Sequence, residues 1–220
     1  MFLIGFFDDA VNISPFVKLS GQFLALTVYH FTSELLGRKM TVFQGLLSAL
    51  WMIFITNATN IVDGLNGLAG GICIAESLCL SMLTLILGYN DIFFCLMILF
   101  GAILGFLPRN FPTAKIFMGD CGSLFLGFTL AALSSRLATQ NGDLICIISI
   151  LLIFRVPSYD TNVSFIRRLI KRKNPFNADK EHFHHLLLKH GFTKECAALL
   201  LISVSLFFGF LGICLHWLTL

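Results

Sequence analysis

The chain has 220 residues, of which 57% are hydrophobic and only 12% charged, with a mean hydropathy of +0.87. That balance excludes a soluble globular domain and points to one membrane-embedded domain over 1–220 with no soluble module and no role for nucleic acid. The formal net charge is only +3, so where the charges fall says more than their sum.

The chain opens on MFLIGFF before Asp8. This stretch is too short for a span and lacks the basic region of a signal peptide, so it reads as the tail of a helix whose beginning is absent. Asp8 and Asp9 follow at a helix–water border. They fit either an interfacial helix end or an oxygen-rich site for a hard divalent cation, or a base; Mg²⁺ takes few protein oxygens and completes its shell with water and phosphates. Seven apolar segments come next: Leu19–Leu36, Val42–Thr56, Leu68–Leu87, Ile92–Leu107, Ser123–Ala138, Leu144–Val156 and Cys196–Leu218. A backbone in lipid must satisfy its own hydrogen bonds, so the pattern predicts an all-α, polytopic protein with about seven transmembrane helices. Leu144–Val156 is short and is expected to run on to Tyr159. Gly101 with Gly105, and Gly209 with Gly212, lie at helical spacing and read as close-packing points. The seven cysteines form no metal-like pair and read as small buried residues. His30 and His216, inside apolar helices, are assigned no function.

Between the helices the polar residues collect in short clusters. Asn57, Asn60, Asp63 and Asn66 recur every three residues in NATNIVDGLNG, roughly one face of a helix if its turn tightens. A capping network would explain one or two of them, rarely four. No Walker A sequence or GxGxxG is present, so a soluble nucleotide-binding fold is not indicated. Asp120 stands in MGDCGS before the helix from Ser123. It fits a cap or dipole partner, whereas the flanking Gly119 and Gly122 suggest close backbone approach to a ligand. The run RRLIKRK precedes DKEHFHH, which carries His182, His184 and His185. No second ligand pair completes a zinc site. With Arg167, Arg168, Lys171 and Lys173 nearby, the cluster reads as phosphate-binding, against a juxtamembrane anchor on anionic lipid.

Threading the helices alternately puts Asp8–Lys18, Asn57–Gly67, Pro108–Gly122 and Asp160–Lys194 on one side of the membrane. Most basic residues share that side, whereas the other has Arg38 and Lys39, with Arg136 near it; the positive-inside rule makes the first side cytoplasmic. All four polar clusters therefore fall at one surface. Carboxylates for a metal, amides for directional bonds and cations for phosphates suit a phosphorylated water-soluble donor meeting a phosphorylated lipid.

At these residues the chain resembles the polyprenyl-phosphate N-acetylhexosamine-1-phosphate transferases, the WecA/TagO/MraY superfamily. The matching stretches are GFFDD with KLSGQ, NATNIVDGLNGLAGG, NFPTAKIFMGDCGSLFLGF, and PSYD with RRLIKRKNPFNADKEHFHHLLLKHG. They run in family order from about Ile4 to Gly191, and the HxHH form after NPFNAD is similar to the WecA-like branch. The resemblance implies that a UDP-N-acetylhexosamine gives its sugar-1-phosphate to undecaprenyl phosphate, releasing UMP, with Mg²⁺ or Mn²⁺ as cofactor. N-acetylglucosamine is the default sugar, a cell-envelope polysaccharide the product's destination, and the bacterial inner membrane the location, with the site on the cytoplasmic face. By the same resemblance Asp120 is the main metal ligand, with Asn60 near metal and diphosphate, and Asp8 or Asp9 acts on the lipid phosphate as base. Lys18 contacts a phosphate; Asp63, Asn66, Asn110 and Phe117 bind the nucleotide, Phe117 by stacking on uracil. His182, His184 and His185 close over the sugar-phosphate side, and a homodimer is compatible. Two departures stand out. Asn66 replaces the family's usual Asp, which removes it from the metal set. The helices that precede the Asp-Asp motif in the family are not in this chain, so an inactive remnant, or one part of a split transferase, is the alternative expectation. A transporter is the third.

Overall fold

The computed structural model describes residues 1–38, 40–170 and 182–219. Over these residues the chain forms helices α1 (Phe2–Val11), α2 (Pro15–Leu35), α3 (Val42–Val62), α4 (Leu68–Ile86), α5 (Asn90–Asn110), α6 (Gly119–Asn141), α7 (Leu144–Ile153), α8 (Arg155–Ile170), α9 (Phe183–Lys189) and α10 (Lys194–Trp217), and no strand. Lys171 and Lys173, read with the phosphate-binding cluster from sequence, lie outside the described residues, as do Arg172, Lys180 and the NPFNAD stretch.

Local chemistry sets several of these boundaries. Ser14 accepts a hydrogen bond from the Val17 amide at the start of α2, with Pro15 in the first turn, where its missing N–H costs nothing. Thr41 and Gln44 form a reciprocal capping box on α3. Thr193 accepts from the Cys196 amide to open α10.

Five helices, α3, α4, α5, α6 and α10, are long and apolar enough to cross a membrane. The chain is thus an all-α polytopic membrane protein, although two of the seven expected spans differ. Leu19–Leu36 is α2, which is 21 residues long but interrupted by Lys18, Gln22, His30 and Glu34, and it falls outside the apolar set. The segment from Leu144 does not continue straight to Tyr159. It ends at Ile153, and α8 leaves at 75°, so this pair makes a sixth crossing only if the bent unit counts as one. Pro157 has no N–H to give the Ile153 carbonyl, which breaks the ladder there. Phe154, fully buried, plugs the corner edge-on to Trp51 at 5.5 Å. A second consequence is that Asp160–Ile170, expected as loop, is helix.

The most buried helix is α4, packed between α5 and α10, while α3 lies along α6. A Cβ at Gly71 would fall 2.2 Å from Ile202, and one at Gly209 2.5 Å from Cys79, so α4 and α10 run side by side at close range. Gly212 is also close, a Cβ there falling 2.9 Å from the Ser149 carbonyl oxygen, and the Ser149 hydroxyl donates to the Gly212 carbonyl at 2.8 Å. Gly101 and Gly105 behave otherwise: nothing lies within 4 Å of a Cβ built there, so they are not packing points within this chain. The cysteines divide too. Cys73, Cys79 and Cys146 are buried as expected, but Cys95, Cys196 and Cys214 are exposed. Polar side chains join helices across the interior, including Ser135 to Ser48 at 2.7 Å and Trp51 to Ser134 at 3.0 Å, the kind of bond that membrane bundles use in place of a hydrophobic drive.

Candidate active site

One end of the bundle collects the C-terminal ends of α1, α3 and α5 and the N-terminal ends of α2, α4, α6 and α10. Here α1 crosses the start of α6 with almost no clearance. A Cβ on Gly5 would lie 2.4 Å from the Asp120 carbonyl oxygen and the Cys121 Cα, so only glycine fits. That approach brings the Asp8-Asp9 pair onto the first turn of α6.

The two adjacent carboxylates have separate tasks. Asp9 accepts hydrogen bonds from the backbone N–H groups of Asp120 (2.8 Å) and Cys121 (3.0 Å). It caps α6, whose preceding residue Met118 offers no side-chain cap, and it meets the positive end of the helix dipole. Gly119, at φ +63°, sits where a Cβ would come within 2.6 Å of an Asp9 oxygen. Its close approach is therefore to Asp9, and Gly122 faces the Met118 side chain; the glycines are explained within the protein. Asp8 points elsewhere. It forms an ion pair with Lys18, which also bonds Asp120. The hydrogen bond shared with Asp120 and then burial raise the Asp8 pKa against the opposing pull of Lys18. Burial works against charge on Lys18, but its bonds to Asp120 and Asp8 outweigh that and raise its pKa.

Asn60, in the last turn of α3, donates from Nδ2 to Asp120 (2.9 Å) and to the Ser123 hydroxyl (2.9 Å), which donates in turn to the Gly119 carbonyl at 2.9 Å. Asp63 follows at the end of α3. Burial first, then the charges of Asp120 and Asp9, push its carboxyl up to about 6. Asp63 has no ion-pair partner among the described residues. Lys18 pairs with Asp8 and Asp120, and four carboxylates so close together favour a cation. No three His, Cys, Asp or Glu side chains among the described residues form a ready-made cage. A hard cation that keeps water and takes phosphate oxygens does not require one, and the oxygen-rich donor set fits such an ion.

The four residues at three-residue spacing separate. Only Asn57 and Asn60 are on the helix. Asn57 exchanges two hydrogen bonds with Gln22 of α2 (2.9 and 3.1 Å). Asn66 donates to the Pro112 carbonyl at 3.3 Å. Asn110, expected at the uracil, is 4% exposed and has both ends of its amide bonded to main chain: it accepts from Gly67 N–H at 2.7 Å and donates to the Ile116 carbonyl at 2.8 Å. It builds the wall between two loops. Phe117, 75% exposed, leaves its ring open to solvent beside them.

The histidines arrive on α9. His184 lies over Gly64, where a Cβ would come 2.4 Å from its Nε2, next to Asp63. Burial and the neighbouring His185 lower the His184 pKa to about 4, so its ring is neutral at pH 7. His185 is 4.2 Å from it, centroid to centroid. His182 is buried 6.0 Å from His184 in a stacked arrangement. The described part of the fourth polar cluster thereby joins the other three. Sequence reasoning assigned no role at this end to Gly5, Gln22, Ser123 or Asp160. All four did stand inside the quoted motifs GFFDD, KLSGQ, MGDCGS and PSYD.

A family model described as "Glycosyl transferase family 4" matches residues 1–138. The "Probable undecaprenyl-phosphate N-acetylglucosaminyl 1-phosphate transferase" of Bacillus subtilis is 37% identical over 179 residues, 79% of this chain and 50% of that protein. The "Undecaprenyl-phosphate alpha-N-acetylglucosaminyl 1-phosphate transferase" of Thermotoga maritima is 34% identical over 217 residues, 97% of this chain and 67% of that protein. A "Decaprenyl-phosphate N-acetylglucosaminephosphotransferase" of Mycolicibacterium smegmatis is 32% identical over 229 residues, 90% of this chain and 56% of that protein. The chain spans about half to two thirds of the length of these curated relatives.

Proposed function

We propose, on the premise that the chain belongs to glycosyl transferase family 4, that it transfers N-acetylhexosamine-1-phosphate from a UDP-sugar to undecaprenyl phosphate. The observation that carries this reading is the convergence of Asp8, Lys18, Asn60, Asp63 and Asp120 at one end of a membrane bundle. The names of the relatives, which specify a polyprenyl phosphate and N-acetylglucosamine, support this acceptor and make UDP-N-acetylglucosamine the first donor to try.

In this reading a lipid-phosphate oxygen attacks the phosphorus that bears the sugar. A new P–O bond forms, the bond to the UMP oxygen breaks, and UMP leaves with its electron pair. Asp8, whose raised pKa suits it to proton exchange, takes the proton of the lipid phosphate. Lys18 leaves the carboxylates to meet a phosphate. Asp120 would hold a Mg²⁺ ion, with the carbonyl end of Asn60 and the Asp63 carboxylate beside it; the bound ion would offset charge on the diphosphate and the departing UMP. The Phe117 ring stacks on uracil beside Asn66, and Asn110 keeps the loop wall in place. His182, His184 and His185 cover the sugar-phosphate side. The clustered end faces the cytoplasm of a bacterial inner membrane, because Lys18, Arg109, Lys115, Arg167 and Arg168 all belong to it. A transporter is disfavoured, since its polar site would lie near the bilayer midplane.

The test uses membranes containing the protein, undecaprenyl phosphate and a panel of UDP-amino sugars. Release of UMP that requires Mg²⁺ and vanishes in Asp120→Ala is the expected result. No UMP from any donor would overturn the assignment and favour a non-catalytic chain.

A further inference from the structure

Asp160 stands on α8 just beyond the bend at Phe154 and is 4% exposed. Its two carboxylate oxygens are divided between neighbours on the far side of the 171–181 stretch. Oδ1 accepts the backbone N–H of Phe183 at 2.8 Å, and Oδ2 lies 3.1 Å from Nδ1 of His182. The Ser164 hydroxyl, one turn further along α8, is 3.2 Å from the same ring nitrogen and also accepts from Arg167 at 3.3 Å.

An ionised carboxylate can only accept, so the proton it meets on His182 is on Nδ1. Nε2 has no protein partner among the described residues and is left for a ligand. The His182 ring is then aligned within 10° of the His184 ring, and His184 covers Gly64 next to Asp63.

We propose that Asp160 is the positioning residue of this histidine cluster. Its carboxylate fixes the Nδ1–H tautomer and the ring plane of His182, anchors the start of α9, and thereby presents the bare His182 Nε2 as an acceptor for a hydroxyl or amide N–H of the donor sugar, beside His184 at the Asp63–Gly64 turn. The role of the presented histidines rests on the transfer reaction proposed above; the tautomer does not. The logic is that of a carboxylate orienting an imidazole, where exchange for the isosteric amide leaves the shape and reverses the proton.

Asp160→Asn is therefore the informative variant. Its carbonyl can still accept from Phe183, whereas its amide N–H would face Nδ1 and drive the ring proton to Nε2. Ring-¹⁵N NMR, with His182 assigned by its loss in His182→Gln, should show Nδ1–H in the unaltered protein and Nε2–H in Asp160→Asn. UMP release should fall about 10–100-fold, the range for removal of a group that orients a catalytic ligand, mostly in kcat, with KM for the UDP-sugar changed less. Nε2–H in the unaltered protein would overturn the proposal without any variant having to fold. So would an Asp160→Asn protein that keeps the original turnover. If the unaltered protein releases no UMP, the transfer reading fails, and the ring-nitrogen measurement alone decides whether Asp160 sets the tautomer.

Discussion

Asp63 ends α3 with its carboxyl facing the charges of Asp120 and Asp9, and its folded pKa of about 6 lies above its ordinary value of 3.8. A carboxyl raised in this way binds its proton more tightly in the folded chain. The destabilisation is absent below about pH 3.8, grows as pH rises, and is complete above about 6. A tenfold change in proton affinity is worth about 1.4 kcal/mol. With solvent screening of a partly exposed group, the effect at Asp63 is on the order of 1–3 kcal/mol. Asp63→Asn should therefore melt higher than the original protein at pH 8 and at about the same temperature at pH 4, although it should lose UMP release. A divalent cation relieves the same repulsion, so Mg²⁺ should raise Tm more at pH 8 than at pH 5, where Asp63 is protonated. Equal shifts at both pH values would mean that the ion binds elsewhere. At this scale the sequence displayed residue types and concealed their tasks. The even spacing of Asn57, Asn60, Asp63 and Asn66 suggested one shared face, yet the helix stops at Val62 and the four side chains take four different partners or none.

Helix α2 is loosely embedded: its buried residues are Gln22, Leu26 and Ser33. What ties it to α3 is the reciprocal amide pair Gln22–Asn57. Lys18 is one turn before Gln22 on the same face, so the pair sets where the Lys18 ammonium can reach. Gln22→Leu should cost about 1–2 kcal/mol of stability, the scale of two buried hydrogen bonds. It should reduce UMP release by about tenfold or more, a loss out of proportion to the change in melting that the two assays can separate. In α4, Glu76 is 1% exposed and neither carboxyl oxygen has a hydrogen-bond partner among the described residues. A buried polar group without a partner costs on the order of 1–3 kcal/mol, so Glu76→Leu should raise Tm with turnover retained. The bend between α7 and α8 shows why elements are harder to read than composition. Pro157 was visible, but the apolar run around it favoured a straight span, and the burial of Phe154 against Trp51 joins the missing Pro157 N–H in fixing the corner.

For the whole molecule, threading hydrophobic segments sufficed to bring the polar clusters to one end, because alternation of ends follows from each crossing and does not need exact boundaries. Although α2 falls outside the apolar set, Gln22 near its start bonds Asn57 near the end of α3, so the Lys18 and Asn57 regions stay at one end. The sidedness proposal can be checked with Cys95, Cys121, Cys196 and Cys214 replaced and a cysteine introduced at Lys189 or at Asp143, both exposed. In intact cells an impermeant thiol reagent should label Asp143→Cys and spare Lys189→Cys; the reverse pattern would invert the topology. The outer faces of the bundle, with Phe94, Ile98 and Phe207 more than 60% exposed, are left for lipid. What hydropathy could not reveal is the division of labour at α1, where neighbouring acids diverge because consecutive helical residues point about 100° apart. Asp9 holds the start of α6 by two backbone hydrogen bonds, whereas Asp8 joins the charged cluster. The pair should consequently differ under genetic selection. A strain disabled by Asp9→Ala should yield revertants with stabilising changes scattered through the bundle, while one disabled by Asp8→Ala should recover only by restoring an acid at that position.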